Sequence, residues 1–217
     1  MSTMNKKART TGRKLNTLLR SFAAAVCLSS LGWHPAPVAA RENLTFPMQV
    51  SSGAASCLPF AQGRVTVSHV GPVENLHVEV YGLRPNTDYD LFVIQTPEKP
   101  FGLSWYQGDI ETDASGVGIG DFVGRFSRET FIVAPGQAVV PTPAHPEDAP
   151  WGTQNPAIVQ PIHTFHLGLW FNSPDDAAAS GCADTVTPFN GDHHAGIQVL
   201  NTGSFADDQG PLLFFNP

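Results

Sequence analysis

Beyond residue 40 the chain is short of positive charge. Six basic residues (Arg41, Arg64, Arg84, Lys99, Arg125 and Arg128) face 19 acids there, a net charge of −13 that the whole-chain value of −7 conceals. A body of that sign repels phosphate backbones and anionic headgroups, so nucleic acid and lipid surfaces are not expected partners. Long apolar runs are missing too. The run Phe22–Leu31 is well short of the roughly 20 residues a membrane-spanning helix needs. Catalytic signatures are equally scarce: there is no G-x-S-x-G elbow, no H-E-x-x-H, no phosphate-binding loop and no dinucleotide fingerprint. Of three cysteines, Cys27 lies in the first 40 residues, which leaves Cys57 and Cys182.

Residues 1–40 read as a cleavable secretory leader. Lys6, Lys7, Arg9, Arg13, Lys14 and Arg20 form a basic start without an acid, Phe22–Leu31 is the apolar core, and Val38-Ala39-Ala40 supplies small residues for cleavage after Ala40. The absence of a twin arginine points to the general secretory route. Outside the cytoplasm an even cysteine pair predicts a Cys57–Cys182 disulfide, with two separate buried thiols as the alternative. It would close a loop of about 125 residues, for which chain-entropy models give several kcal/mol.

What remains, residues 41–217, reads as one secreted β-domain. Short β-branched and aromatic runs bounded by Gly, Pro, Asn and Asp recur, and no long amphipathic helical period is sustained. Arg64–Val70 and Leu76–Gly82 alternate apolar with polar, whereas Leu91–Ile94 is apolar on both faces, as a central strand should be. Gly102–Glu111 and Val117–Phe126 flank a turn at Asp113–Gly116 and predict a hairpin. Glu129–Val133, His163–Phe171 and Gly196–Leu200 complete the expected strands, with Leu212–Phe215 as a candidate last one. Seven prolines between Ala134 and Pro161 forbid regular structure over most of that stretch, which predicts a long loop with Trp151 inside it. One short helix is expected, capped by Ser173, begun by Pro174 and stopped by Gly181, and it leads to Cys182.

The segment Tyr81–Val93 reads YGLRPNTDYDLFV, and its Gly82-Leu83-x-Pro85-x-Thr87-x-Tyr89 resembles the corner of fibronectin type III and related immunoglobulin-like sandwiches. Thr112-Asp113-Ala114-Ser115-Gly116 is similar to a hairpin of small extracytoplasmic bacterial sandwich domains. The resemblance implies an all-β, immunoglobulin-like antiparallel β-sandwich with a long Pro-rich insertion. It also implies a tyrosine corner, in which the Tyr89 hydroxyl bonds a backbone group just upstream. Such sandwiches host many functions, so activity does not follow from the likeness.

Candidate chemistry is thin. His163 and His166 have H-x-x-H spacing, but on one strand they would point to opposite faces and could not share a metal. Asp192, His193 and His194, flanked by Gly191 and Gly196, are better placed to offer a carboxylate and imidazoles to zinc or copper. The acids Asp109, Glu111 and Asp113 suggest a calcium loop, yet Ala114 and Gly120 stand where an EF-hand needs Gly and Glu. No cofactor is therefore predicted, calcium and zinc being the metals to test. Among aromatics, Trp105, Tyr106 and Trp151 are candidates for stacking on sugar rings, against the usual role of aromatics as core. The sequence favours a non-enzymatic binding module for a carbohydrate or protein ligand. The alternative is a metal-dependent or hydrolytic enzyme built on Asp192, His193 and His194.

Overall fold

The computed structural model describes residues 42–128, 130–132, 161–188 and 194–216. The predicted leader, most of the Pro-rich segment and residues 189–193 lie outside that range. The all-β expectation holds. The strands among the described residues are β1 (Leu44–Val50), β2 (Gln62–Val70), β3 (Val73–Tyr81), β4 (Asp88–Ile94), β5 (Ser104–Glu111), β6 (Gly118–Gly124), β7 (Thr130–Ile132), β8 (Pro161–His163), β9 (His166–Phe171) and β10 (Gln198–Asn201). Eight of them form one antiparallel sheet in the order β5-β4-β9-β10-β1-β2-β3-β6, and β7 pairs with β8 in a separate ribbon. Hydrogen bonding thus does not divide the eight into two sheets. The sheet curls towards closure instead, because its two edge strands are joined by a single bridge, Thr112 to Gly118.

That bridge corrects the expected β5–β6 hairpin. The turn at Asp113–Gly116 is present, but beyond it β5 pairs with β4 and β6 with β3. Side chains occupy the seam. A Cβ added to Gly108 or to Gly120 would lie 2.6 Å from the Phe122 ring, so the aromatic covers the face of both edge strands at the two glycines.

Alternation explains the layers. In β3 every second residue is buried, and Leu76, Val78 and Val80 join Val65 and Val67 of β2 inside the curl. From the far side Leu91 and Val93 of β4 and Leu167, Leu169 and Phe171 of β9 meet them. Each such side chain removed from water contributes about 1.5–3 kcal/mol before chain entropy is counted. The opposite face of β4 and β9 is also covered, by a cluster of Phe92, Ile94, Trp170 and Ala195 with Phe101 packed against it. This is why Leu91–Ile94 reads as apolar throughout.

Three further expectations are revised. β1, absent from the expected strands, alternates as a strand should, with Phe46 and Met48 buried between exposed Thr45, Pro47 and Gln49; at Pro47 only β2 is a neighbour, since β10 reaches no further than Gln49 and Val50, so a missing donor is tolerated. The run His163–Phe171 is broken at Thr164-Phe165 into β8 and β9. Pro211–Phe214 is a 3-10 turn rather than a strand, consistent with a proline at its start. The helix α1 (Pro174–Ala179) is as expected: Ser173 Oγ accepts from Asp176 N at 3.1 Å, and Gly181 takes φ +74° to end it.

The corner is built as its residues predict. The Arg84 N–H donates to the Tyr89 hydroxyl at 3.1 Å, and Tyr89 is fully buried. Gly82 has φ +68° and its missing Cβ would stand 2.4 Å from the Phe60 carbonyl oxygen, so no side chain fits there. Thr112 ties the corner to the facing turn, its hydroxyl donating to Arg84 O at 2.7 Å and accepting from Thr87 N at 3.0 Å.

Candidate functional site

A groove opens at the opposite end of the sheet from this corner, where β2 turns into β3. The register pairs Val70 with Val73, leaving Gly71-Pro72 as a two-residue turn whose first position takes φ +62°, a requirement glycine meets without strain. Antiparallel pairing of Glu74 with Gly124 brings the end of β6 alongside. There the chain makes a 3-10 turn, Phe126–Arg128, whose Phe126 ring is buried in the core. The groove between these turns has a volume of about 230 Å³ and is lined by His69, Pro72, Val73, Glu74, Arg125 and Arg128 among others.

Its charges are arranged unequally. Glu74 is buried and its carboxylate accepts from the Ser127 N–H at 2.8 Å and from the Ser127 hydroxyl, so it is spent on holding the turn. Arg125 and Arg128 are exposed, and the Arg128 N–H donates to the Arg125 carbonyl at 2.8 Å, which fixes the two backbones relative to each other. Among the described residues the ion pairs are His77 with Asp121 and Arg84 with Asp176, so neither groove arginine has a carboxylate partner there. The His69 ring stacks on Phe215 at 4.4 Å and 28°, which forms one wall. Beyond Phe215 lies a second cavity of about 350 Å³ lined by Glu42, Asn43, Leu44, Phe214, Phe215 and Asn216.

The residues singled out from sequence fare differently. Cys57 and Cys182 are bonded, with Cα atoms 5.2 Å apart, inside the range disulfides require. Trp105 and Tyr106 are both about half exposed, but Trp105 pairs with Val93 and Tyr106 with Phe92, on opposite faces of β5. They therefore do not make one stacking platform. Tyr106 packs edge-on to Phe92 at 5.7 Å and donates its hydroxyl to Asp109 at 2.6 Å. Trp151, Asp192 and His193 lie outside the described residues, and His194 is exposed.

His163 and His166 stand on separate strands. His166 is wholly buried, with Nδ1 2.9 Å from Thr202 Oγ1 and Nε2 within 3.2 Å of the Ala206 and Asp207 carbonyls. The acidic run does not converge either. Asp113 turns its Oδ1 onto its own loop, accepting from Ser115 Oγ, Ser115 N and Val117 N at 2.6, 2.8 and 3.0 Å; these bonds, the Ser115 hydroxyl first, hold its carboxyl below the ordinary value. Among the described residues no three His, Cys, Asp or Glu side chains gather as a metal site would need.

The His77–Asp121 pair, 2.9 Å apart, lies on the outer sheet face, and Asn75 Nδ2 donates to the same Asp121 oxygen at 3.1 Å. Bonds from Asn75 and then His77 pull the Asp121 carboxyl down. These residues brace β3 against β6 on an exposed face, and the groove lies elsewhere. Sequence reading missed the groove because its residues are split between positions 69–74 and 125–128, with no motif linking them. Two arginines three apart in an acid-rich chain were the available signal.

No protein-family model matches this chain, and no curated protein matches it significantly.

Proposed function

We propose that this protein is an exported, non-enzymatic β-module that binds a small ligand in the groove between the β2–β3 turn and the Phe126–Arg128 turn. The groove itself is the observation that carries this reading. It joins a concave wall, an aromatic-backed imidazole and two guanidinium groups without a described carboxylate partner. A convergence of polar groups in a concavity is what a ligand site needs.

Export is supported by the leader-like residues 1–40 and by the Cys57–Cys182 bond, which persists in oxidising compartments. No helix among the described residues is long and apolar enough to cross a membrane. Kinship with fibronectin type III and immunoglobulin-like domains is proposed on the corner at Gly82–Tyr89 alone, where the Arg84–Tyr89 hydrogen bond supports it.

The test is a thermal-shift screen of small neutral, cationic and anionic compounds against the wild type and Val73→Trp, which fills the groove. At least one compound is expected to raise the melting temperature of the wild type and not of the variant. Compounds that stabilise both equally, or none that stabilises either, would overturn the reading.

A further inference from the structure

We propose that the groove ligand is a small molecule carrying a single carboxylate, which engages the guanidinium groups of Arg125 and Arg128; this rests on the binding role given to the groove above. The charge count selects a monoanion. Two arginines line the groove, and the buried Glu74 offsets one of them, which leaves one positive charge to be matched among the described Arg, Lys, Asp and Glu residues of its lining. Glu74 does not compete for the ligand's partners, because its oxygens already accept from the Ser127 N–H and hydroxyl.

Guanidinium groups present planar paired donors that fit a carboxylate, and they keep their charge at any working pH. The surrounding chain disfavours more highly charged ligands. With 19 acids against six basic residues after residue 40, a polyanion approaching the groove meets repulsion that a monoanion largely escapes. Size points the same way: about 230 Å³ lies below the roughly 300–1,000 Å³ usual for drug-sized ligands, so the occupant is of monosaccharide or amino-acid scale. His69, held by its stacking on Phe215, closes one side of the groove beside the arginines.

Isothermal titration calorimetry at low salt tests this with acetate, lactate, glucuronate and N-acetylglycine as monocarboxylates, glucose as the uncharged counterpart of glucuronate, and inorganic phosphate. At least one carboxylate is expected to bind, to weaken with added salt, and to lose roughly tenfold or more in affinity in Arg125→Gln and in Arg128→Gln. Both side chains are exposed, so these variants keep the fold. Arg64→Gln, on the outer face of β2, is expected to bind as the wild type does.

Absence of carboxylate binding, or binding indifferent to both arginine changes, overturns the inference. Phosphate bound more tightly than every carboxylate overturns the assignment of a single charge. A neutral compound whose binding is lost in Val73→Trp but kept in both arginine variants removes the carboxylate and leaves the binding module standing. If no compound of any charge responds to Val73→Trp, both fall.

Discussion

Glu74 of β3 accepts two hydrogen bonds from Ser127, one from its backbone N–H and one from its hydroxyl. One buried carboxylate thereby ties the turn that carries Arg125 and Arg128 to the strand that carries the other wall of the groove. Glu74→Ala is expected to lower stability by about 1.5–3 kcal/mol, the usual worth of hydrogen bonds to a charged group. Ligand affinity should fall with it, since the arginines lose their anchor. Denaturant unfolding and calorimetry on the same variant check both; unchanged stability would show that the turn holds itself.

Little of this was legible in the sequence. Glu74 shares the inward set of β3 with Leu76, Val78 and Val80, yet an acid at the strand end gives no sign in the sequence of the partner that lets it be buried, because Ser127 lies 53 residues on. By contrast the corner and α1 could be read almost residue by residue, because capping and turn chemistry are local: Ser173, Pro174 and Gly181 act within one helix, and Gly82 to Tyr89 within one turn. Strand existence was legible where alternation runs free of proline, as in β2 and β3, whereas β1 alternates equally well but carries Pro47, a residue that argues against a strand. Pairing was not. The bridge at Thr112 and Gly118 leads to two strands that pair elsewhere, β5 with β4 and β6 with β3, and no local signal announces those distant partners. The burial of His166 was not legible either, since its partners Thr202, Ala206 and Asp207 lie some 40 residues on, with separations of 36, 40 and 41.

The tyrosine corner has a pH signature. Burial pushes the Tyr89 hydroxyl up to about 12, partly offset by the Arg84 N–H that bonds its oxygen. A phenol whose folded pKa exceeds the unfolded value of about 10 contributes stability that is complete below pH 10 and is lost as pH rises towards 12. Ultraviolet titration of the folded protein should show one tyrosine that ionises near pH 12 and that is missing in Tyr89→Phe. Three tyrosines all titrating near 10 would contradict the burial argument. Tyr89→Phe should also cost about 1 kcal/mol through the lost bond at Arg84.

Gly82→Ala is expected to be among the more damaging single changes outside the core. The new methyl group would stand 2.4 Å from the Phe60 carbonyl at a φ of +68°, so either the corner or the Phe60 segment must move. A loss of roughly 1–3 kcal/mol is the usual scale for a strained backbone site. Equal melting temperatures for the wild type and the variant would show that the loop adjusts freely.

Reduction of the Cys57–Cys182 bond should destabilise strongly, because it releases a loop spanning 125 residues. Chain-entropy scaling gives about 4–5 kcal/mol as an upper scale for so long a loop. Melting curves with and without reductant measure the loss, and intact mass should rise by two hydrogens on reduction. Two cysteines that alkylate without reductant would refute the bond.

Asp121 is expected to titrate below the ordinary carboxylate value in the folded protein, because Asn75 and His77 bond its charged form. A carboxyl with a depressed folded pKa adds stability above the unfolded value, and that contribution is lost as pH falls through the folded one. Carboxyl-carbon NMR should place Asp121 below 3.8, and His77→Ala should raise it; an ordinary value in the folded protein would mean that the brace between β3 and β6 is not formed.

The central claim, a groove that binds a small carboxylate, is tested most directly by amide NMR during titration with the monocarboxylates named above. The account expects the shifts to concentrate at Val73, Glu74, Arg125, Ser127 and Arg128, with the corner at Gly82–Tyr89 unmoved. Saturable shifts centred elsewhere, or none in the groove with any of these ligands, would contradict it.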